Sequence, residues 1–389
     1  MNIILLVRNL HPKLKESLSI TTINHALELK TKHNNVYVVT SAKNDCDKKI
    51  NDVHIHNSAF FSRVPLIKNC SLTANIDSLL SGILGIKKIK KLTGNKIDLV
   101  HSFSAAPIFA LRGLILKLFF KTKYVHTLKS QSYLSKNKFS LGGYSFSRVL
   151  NCCDAVTVQT KKMAEEIISH GCKKEKVHVI RSHIDLEKFK PKNKDQLKKK
   201  YGFKDKKVIL YYGYFGENKG LSYLLKAAPL VLKKNPNTKI ILISRWEKYP
   251  KFYDKLIETL GIKKQVLIIT KDVIIEDYVN LADMVVLPYP NLVSTESNPS
   301  CILESLACKT PVVTTNLSEI RELVTHKKEA ILAKPKDVFS LAENINLLFS
   351  SKKLQTIITN NGFKRAKDFG IKKIVSEFSK VYEKVLSNK

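Results

Sequence analysis

Acids are scarce in this 389-residue chain: 33 Asp and Glu stand against 67 Lys and Arg, a formal net charge of +34. A field this positive favours anionic partners, whether nucleic acid, an anionic membrane surface or phosphorylated substrates. Paired cysteines are missing as well. The seven (Cys46, Cys70, Cys152, Cys153, Cys172, Cys301, Cys308) include no C-x-x-C spacing and are odd in number. That argues against a zinc site and a disulfide framework, and for reduced thiols in a cytosolic protein. No run reaches the length of a membrane-spanning helix. FALRGLILKLFFKTK comes closest, and Arg112 and Lys117 interrupt it. MNIILLV is apolar, but Arg8 follows and no small-residue cleavage site does, so it reads as a first buried strand rather than a signal peptide. Repeats of fixed period and low-complexity tracts are absent too.

What is present is a core and a rhythm. Hydrophobic residues make up 44% of the chain, enough to exclude a disordered protein. Short apolar runs alternate with helical patterns: NIILLV, NVYVVT, DLVHSF, KYVHTL, DAVTVQ and KVHVIR in the first half, then KVILYYGYF, KIILIS, QVLIIT, MVVLPY and PVVTT. Continuous apolar strands between helices predict α/β architecture with parallel sheets covered on both faces, here two doubly wound domains. The lysine-rich FKPKNKDQLKKKYGFKDKK marks the seam. We place an N-terminal domain at 1–188, a second at 189–368, and an amphipathic tail helix at 369–389 that returns to the first domain. The tail's apolar residues (Ile371, Ile374, Val375, Phe378, Val381, Tyr382, Val385) keep helical spacing.

In open parallel sheets, ligands bind beyond the carboxyl ends of the strands, often against helix N-termini. Three such places carry chemistry. In STESNPSCILESLACKTPVVTT, Glu296 and Glu304 lie eight positions apart. Asn298 suits an N-cap, Pro299 the first helical position, and a helix is predicted over 299–308. Free N–H groups of its first turn can hold a phosphate, while a carboxylate accepts hydrogen bonds from both hydroxyls of a ribose. The plain alternative is two surface acids. In LYYGYFGENKGLSYLL, Lys219 stands at a helix start, where an ammonium adds to the dipole for anion binding; the spacing is not that of a P-loop. In KIILISRWEKYP, Arg245 follows a strand and can grip a phosphate bidentately, or stack on Trp246.

In this order the three places resemble the retaining glycosyltransferases of the GT-B fold, family four. The glutamate pair, the run LESLACKTPVVTTNLSEIRELV after it, and NKG at Asn218–Gly220 carry the resemblance most specifically. Weaker echoes (HNNVYVVT, DLVHSF, DAVTVQT, KVHVIRSHIDLEKFKP and the tail) extend it over nearly the whole chain. It implies two Rossmann-like domains facing a central cleft, the second binding a nucleoside-diphosphate sugar. Glu304 is expected on the ribose hydroxyls and Glu296 on the transferred sugar. Ser297, Asn298, Ser300 and Cys301 are expected to hold sugar and phosphate, and Lys219 to neutralise the leaving diphosphate, with no metal and no cofactor.

The chain departs from the family where Tyr214 occupies the usual arginine position of the glycine loop, so Arg245 is the substitute expected at the donor phosphates. HPKLKESLSITT replaces the double-glycine loop, with Ser17, Ser19 and Thr21 as stand-ins. Near the reacting carbon, Lys129 falls where the family often has His or Asp, and His126 precedes it by three residues; both are catalytic candidates, with a core role for His126 as the alternative. His101, at the end of DLVHSF, is read as structural, with a place facing the cleft as the alternative, and His183 and Asp185, which fill the place of the family's N-G-I/V-D turn, are read as structural. The resemblance implies a nucleotide-sugar donor, a glycan or lipid-linked acceptor and a cytoplasmic location. The basic amphipathic segments NIDSLLSGILGIKKIKKLTGNK and FALRGLILKLFFKTK add a candidate anionic membrane surface at the inner membrane face. Tyr214 and Lys129 motivate a rival, a catalytically degenerate nucleotide-sugar binder or partner subunit. A nucleic-acid-binding protein is the weaker rival, since no RRM, zinc finger or similar module occurs and no specific nucleic acid is expected.

Overall fold

The apolar runs of the sequence become two parallel sheets, each in a unit of its own. The computed structural model describes residues 1–7, 17–40, 48–50, 53–57, 83–91, 93–94, 96–104, 108–130, 140–141, 144–246, 249–293 and 296–388. Unit 1 comprises Met1–His183 and Ile371–Lys389; unit 2 is Ile184–Gly370. The sequence set the seams at 188/189 and 368/369, and the structure moves both. Ile184, Phe189 and Phe369 are core residues of unit 2, whereas His183 Nε2 contacts the Thr21 carbonyl of unit 1 at 3.1 Å.

Unit 1 runs β1 (Asn2–Val7), α1 (Ser17–Thr31), β2 (Asn35–Thr40), β3 (Lys48–Ile50), β4 (Val53–Asn57), α2 (83–91), β5 (Leu99–Ser104), α3 (Ile108–Phe120), β6 (Lys123–Leu128), β7 (Ser140–Leu141), β8 (Tyr144–Ser145), α4 (Phe146–Asn151), β9 (Ala155–Val158), α5 (Lys161–Ser169) and β10 (Val177–Val179). Unit 2 continues with α6 (Lys194–Lys200), β11 (Lys207–Tyr212), α7 (Leu221–Lys234), β12 (Thr238–Ile243), α8 (Phe252–Thr259), β13 (Val266–Ile269), α9 (Ile275–Leu281), β14 (Met284–Leu287), α10 (Ser300–Ala307), β15 (Val312–Thr315), α11 (Ser318–Arg321), β16 (Ile331–Ala333), α12 (Val338–Ser350) and α13 (Lys352–Ala366). The tail helix α14 (Ile371–Ser387) belongs to unit 1, where it packs against α1.

The first sheet is ordered β10-β9-β6-β5-β1-β2-β4-β3 and the second β13-β12-β11-β14-β15-β16. All neighbours are parallel except β3 and β4. In each sheet the winding starts centrally, proceeds one way, then restarts on the other side of the first strand. That makes β1/β5 and β11/β14 the switch points, where open sheets leave a crevice at their carboxyl ends.

Both faces of each sheet are covered, which is why its strands read as unbroken apolar runs. Along β1, Ile3, Leu5 and Val7 pack with α1 and α14, while Ile4 and Leu6 pack with α2 and α3. Along β11, Val208, Leu210 and Tyr212 face α9 and α10, and Ile209 and Tyr211 face α7 and α12. Acids in this basic chain tie strand starts together. Asp98, Asp154 and Asp283 accept the backbone N–H groups of Asn2, Tyr124 and Val208 at 2.7, 2.8 and 2.7 Å. Buried donors at strand ends are thereby satisfied.

Candidate functional site

The second sheet's switch point gathers the three sequence-predicted places. β12, β11 and β14 are adjacent, and their carboxyl ends lead to Arg245, to the Gly213–Gly220 loop and to the Pro288–Pro299 loop. α10 starts at Ser300, one residue later than the sequence suggests. Pro299, with ψ of 115°, is the cap, and its carbonyl accepts the first helical bond from Ile302 at 3.1 Å. Asn298 is therefore not the cap; it lies fully buried beside Ser297 in the loop. Ser297 Oγ is buried and has no hydrogen-bond partner among the described residues. Ser294 and Thr295 lie outside them.

Lys219 closes a short 3-10 turn over Glu217–Lys219, and α7 begins directly after Gly220. Only glycine fits at 220. Its φ is +78°, and a Cβ there would stand 1.9 Å from the Pro288 carbonyl oxygen. This close approach sets Lys219 against the β14–α10 loop, with its Nζ 5.8 Å from the Tyr289 ring centroid. Partial burial lowers the Lys219 pKa from its ordinary value, opposed by the nearby Cys301 and Glu296. Tyr214 is 52% exposed at the head of the same loop.

Glu304 sits one turn inside α10, partly buried. Its pKa is raised by burial, opposed by a hydrogen bond from Tyr212 and by the charges of Arg245 and Lys188, and raised further by Glu296. Tyr212 was missed by sequence reasoning. Its hydroxyl lies 2.9 Å from Glu304 Oε2 and 2.9 Å from the Cys301 carbonyl, so one proton has two acceptors. Its position as the last residue of β11, on the face that meets α10, was the available signal. Burial pushes the Cys301 thiol up, and Glu304 adds to that, so it remains protonated. Lys219, Arg245, Glu296, Cys301 and Glu304 thus sense one another at one sheet edge.

Unit 1 is different. His126, a catalytic candidate in the sequence, is a core residue. It is fully buried, with Nδ1 at 2.6 Å from Ser102 Oγ and 3.0 Å from Tyr124 OH, and Nε2 at 3.3 Å from Ser104 Oγ. Burial, with Arg112 nearby, pushes its pKa down to about 3. Strand alternation explains the correction, because Tyr124, His126 and Leu128 share the face under α3. Lys129 follows β6 on the other face. It is buried, donates to Thr21 Oγ1 at 2.8 Å and lies over the Phe103 ring. Of the proposed stand-ins, Ser19 and Thr21 are buried in α1; the side chain of Ser17 lies outside the described residues. Asp185 Oδ1 accepts from the N–H groups of Glu187 and Lys188, a local turn. No group of metal-ligating side chains occurs among the described residues. One Asp-x-Asp spacing, Asp45-Cys46-Asp47, exists in the sequence and lies outside them.

Known structures share this fold over the full length of the chain. Sucrose-phosphate synthase from Thermosynechococcus elongatus superposes with a TM-score of 0.83 at 17% identity, each chain covered completely. HepE from Anabaena, solved with UDP-glucose, gives 0.76 at 18% identity, covering 99% of this chain and 100% of that one. At such identities the likeness establishes the fold alone: GT-B, two Rossmann-like units. The chain belongs to the group 1, family four glycosyltransferases, since the model "Glycosyl transferases group 1" matches residues 193–365 and "Glycosyltransferase Family 4" matches residues 18–188. Among curated relatives, the capsular polysaccharide biosynthesis glycosyltransferase CapM of Staphylococcus aureus is 24% identical over 92% of both chains. A D-inositol 3-phosphate glycosyltransferase of Thermobispora bispora is 22% identical over 82% of this chain and 78% of its own.

Proposed function

We propose that this glycosyltransferase moves a hexose-type sugar from a nucleoside-diphosphate sugar to a glycan or lipid-linked acceptor, with retention of configuration. The observation that carries the reading is the gathering of two cations and two carboxylates at the carboxyl ends of β12, β11 and β14, around the start of α10. The carboxylates serve hydroxyls and the cations serve phosphates. Glu304, held by Tyr212, accepts from the ribose hydroxyls; Glu296 and the backbone of 297–301 receive the transferred sugar. Departure of a nucleoside diphosphate develops negative charge on the leaving oxygen. Lys219 and Arg245 stabilise it without reorganisation, which is where such a site gains most of its rate. With cations in that role no metal is required. Retention follows if the acceptor attacks the short-lived glycosyl cation from the face the diphosphate leaves. The UDP-glucose of the HepE structure and the capsule synthesis of CapM are in keeping with this donor class and outcome.

The test is thermal stabilisation by a panel of nucleoside diphosphates and their sugars at physiological salt, beside Glu304→Ala. One selective stabiliser, lost in the variant, is the expected result. Equal stabilisation by every polyanion, unchanged in the variant, overturns it. Donor hydrolysis in the absence of acceptor separates an active enzyme from a degenerate binder.

A further inference from the structure

Unit 2 carries a polar cavity that the donor reading does not use. It has a volume of about 470 Å³ and lies between α11 with the turn after it on one side and the last turns of α13 on the other. Arg321, Thr325, Lys328 and Glu329 line the first wall, and Asn361 and Lys364 the second. The size suits a small molecule. Its lining includes no aromatic side chain, so nothing there can stack a nucleobase. None of its residues belongs to the site built around Lys219 and Glu304.

Four cations and three acids line the cavity, and their commitments differ. Arg365 Nε and Nη2 donate to the carbonyls of Leu323 and Glu322 at 2.9 and 3.1 Å, and Nη1 donates to Asp368 Oδ2 at 3.2 Å. That fork ties the end of α13 to the turn after α11. Glu329 is buried; its Oε2 accepts the Thr325 N–H at 2.8 Å, and its Oε1 lies 3.5 Å from Lys328 Nζ. Two of the three carboxylates are thereby answered, and two cations are left over. Among the described residues Arg321 gives one hydrogen bond, to Asn316 Oδ1 at 3.0 Å. Lys364 has no hydrogen bond, ion pair or ring contact among them. A guanidinium fork and an ammonium on one polar cavity are the donors that a phosphate monoester accepts from. Thr325 and Asn361 offer partners for hydroxyl groups.

The cavity also reaches the helix that carries the site's carboxylate. Gly362 stands where α13 meets α10: a Cβ there would lie 2.7 Å from Leu306 Cδ2 and 3.1 Å from the Glu329 carbonyl oxygen. The cavity wall, α13 and α10 are thus in direct contact at one point, and α10 carries Cys301 and Glu304. We propose that this cavity is a regulatory site for a small phosphorylated sugar, with its phosphate held by Arg321 and Lys364, and that occupancy steadies α10 through α13. Binding here does not depend on the donor reading, and each can stand if the other fails.

The experiment is calorimetric titration of the full chain carrying Glu304→Ala, which removes the proposed ribose contact, with glucose 6-phosphate at physiological salt. One equivalent is expected to bind, and inorganic phosphate to bind about tenfold more weakly. Adding Arg321→Ala with Lys364→Ala is expected to lower the affinity for glucose 6-phosphate about tenfold or more. Adding Lys352→Ala with Lys353→Ala, at the far end of α13, is expected to leave it unchanged. All four side chains are exposed, and melting curves matching the parent chain verify the fold. In the wild-type chain, hydrogen exchange of the α10 amides should slow when glucose 6-phosphate saturates. Four results overturn the proposal: no binding; binding that survives Arg321→Ala with Lys364→Ala; an equal loss in the Lys352 and Lys353 pair, or equally tight inorganic phosphate, either of which would assign the binding to positive charge alone; or unaltered exchange in α10, which would deny the site its regulatory reach.

Discussion

The two units place their titratable groups in opposite ways. Unit 2 carries them at strand ends, where Lys219, Arg245, Glu296 and Glu304 stay partly accessible. Unit 1 carries them inside. His25, His101, His126 and His183 are all buried, and burial holds every one of their pKa values below 6.5. His101 bridges Tyr382 OH and Thr127 Oγ1, both at 2.6 Å, and His25 meets the same tyrosine at 3.0 Å. Tyr382 lies on α14, so neutral histidines help fasten the returning tail. The same polar side chains thus do structural work in one sheet and remain available for chemistry in the other. What separates the roles is depth along the strand.

Acid breaks the comparison most forcefully. A histidine whose folded pKa is depressed leaves the unfolded state alone to bind a proton below 6.5. The stability it contributes is complete above 6.5 and is lost as pH falls toward the folded value, about 3 for His126 and His183. Each such group costs about 1.4 kcal/mol per pH unit, so the four together cost about 5 kcal/mol by pH 5.5. Lys129 and Arg112 lie close to these rings and deepen the effect. Unit 2 has only His326 shifted in this sense. The chain's single tryptophan, Trp246, is in unit 2. Circular dichroism should therefore show a melting step that falls steeply between pH 7 and 5.5, while the step seen by Trp246 fluorescence moves little. A parallel shift of both steps would contradict the division.

Gly220→Ala strikes unit 2 at its tightest point. The new Cβ would meet the Pro288 carbonyl and hold an alanine at positive φ, a combination expected to cost about 3 kcal/mol. The Trp246-reported melting step should fall and kcat/KM with it, because Lys219 shifts with the loop. An unchanged melting temperature would show that the loop yields freely.

Much of this was legible beforehand. The eleven apolar runs singled out in the sequence coincide with β1, β2, β5, β6, β9 and β10 and with β11–β15, since strands covered on both faces have no other way to read. β3, β4, β7, β8 and β16 were not seen. β7 and β8 are two residues each. β3 and β16 span three residues each, and VHIHN in β4 looks polar because its histidines alternate with its apolar positions. The site's acids and cations announced themselves by residue type and strand-end position. Tyr212 did not, because a tyrosine inside an apolar run looks like core until the facing helix is known. His126 erred the other way: a histidine suggests chemistry, and only strand parity reveals that it points under α3.

Arg245→Ala sharpens the reading of the missing family arginine. If Arg245 supplies the phosphate cation that Tyr214 cannot, its loss should weaken nucleoside-diphosphate binding about tenfold or more, the scale of a hydrogen bond to a charged group. Calorimetric titration with the selected nucleotide measures this. Unaltered affinity would leave Lys219 as the sole cation of the proposed site and return Arg245 to the surface.

Tyr212→Phe should have the smallest effect, and it is the one that isolates Glu304. The phenol donates to the carboxylate and so favours its charged form, against a burial that favours the neutral one. Removing the hydroxyl leaves burial and Glu296 less opposed, so the Glu304 pKa climbs further. A protonated Glu304 loses acceptor capacity toward a ribose diol. Donor affinity in Tyr212→Phe should therefore match wild type most closely at high pH and fall increasingly behind as pH drops. The acid limb of the profile moves upward, by about 1 kcal/mol of lost hydrogen bonding or roughly fivefold in kcat/KM near its midpoint. A uniform loss at every pH would mean that Tyr212 merely packs α10, through the Cys301 carbonyl it also reaches. Only a loss that tracks protonation ties the tyrosine to the carboxylate.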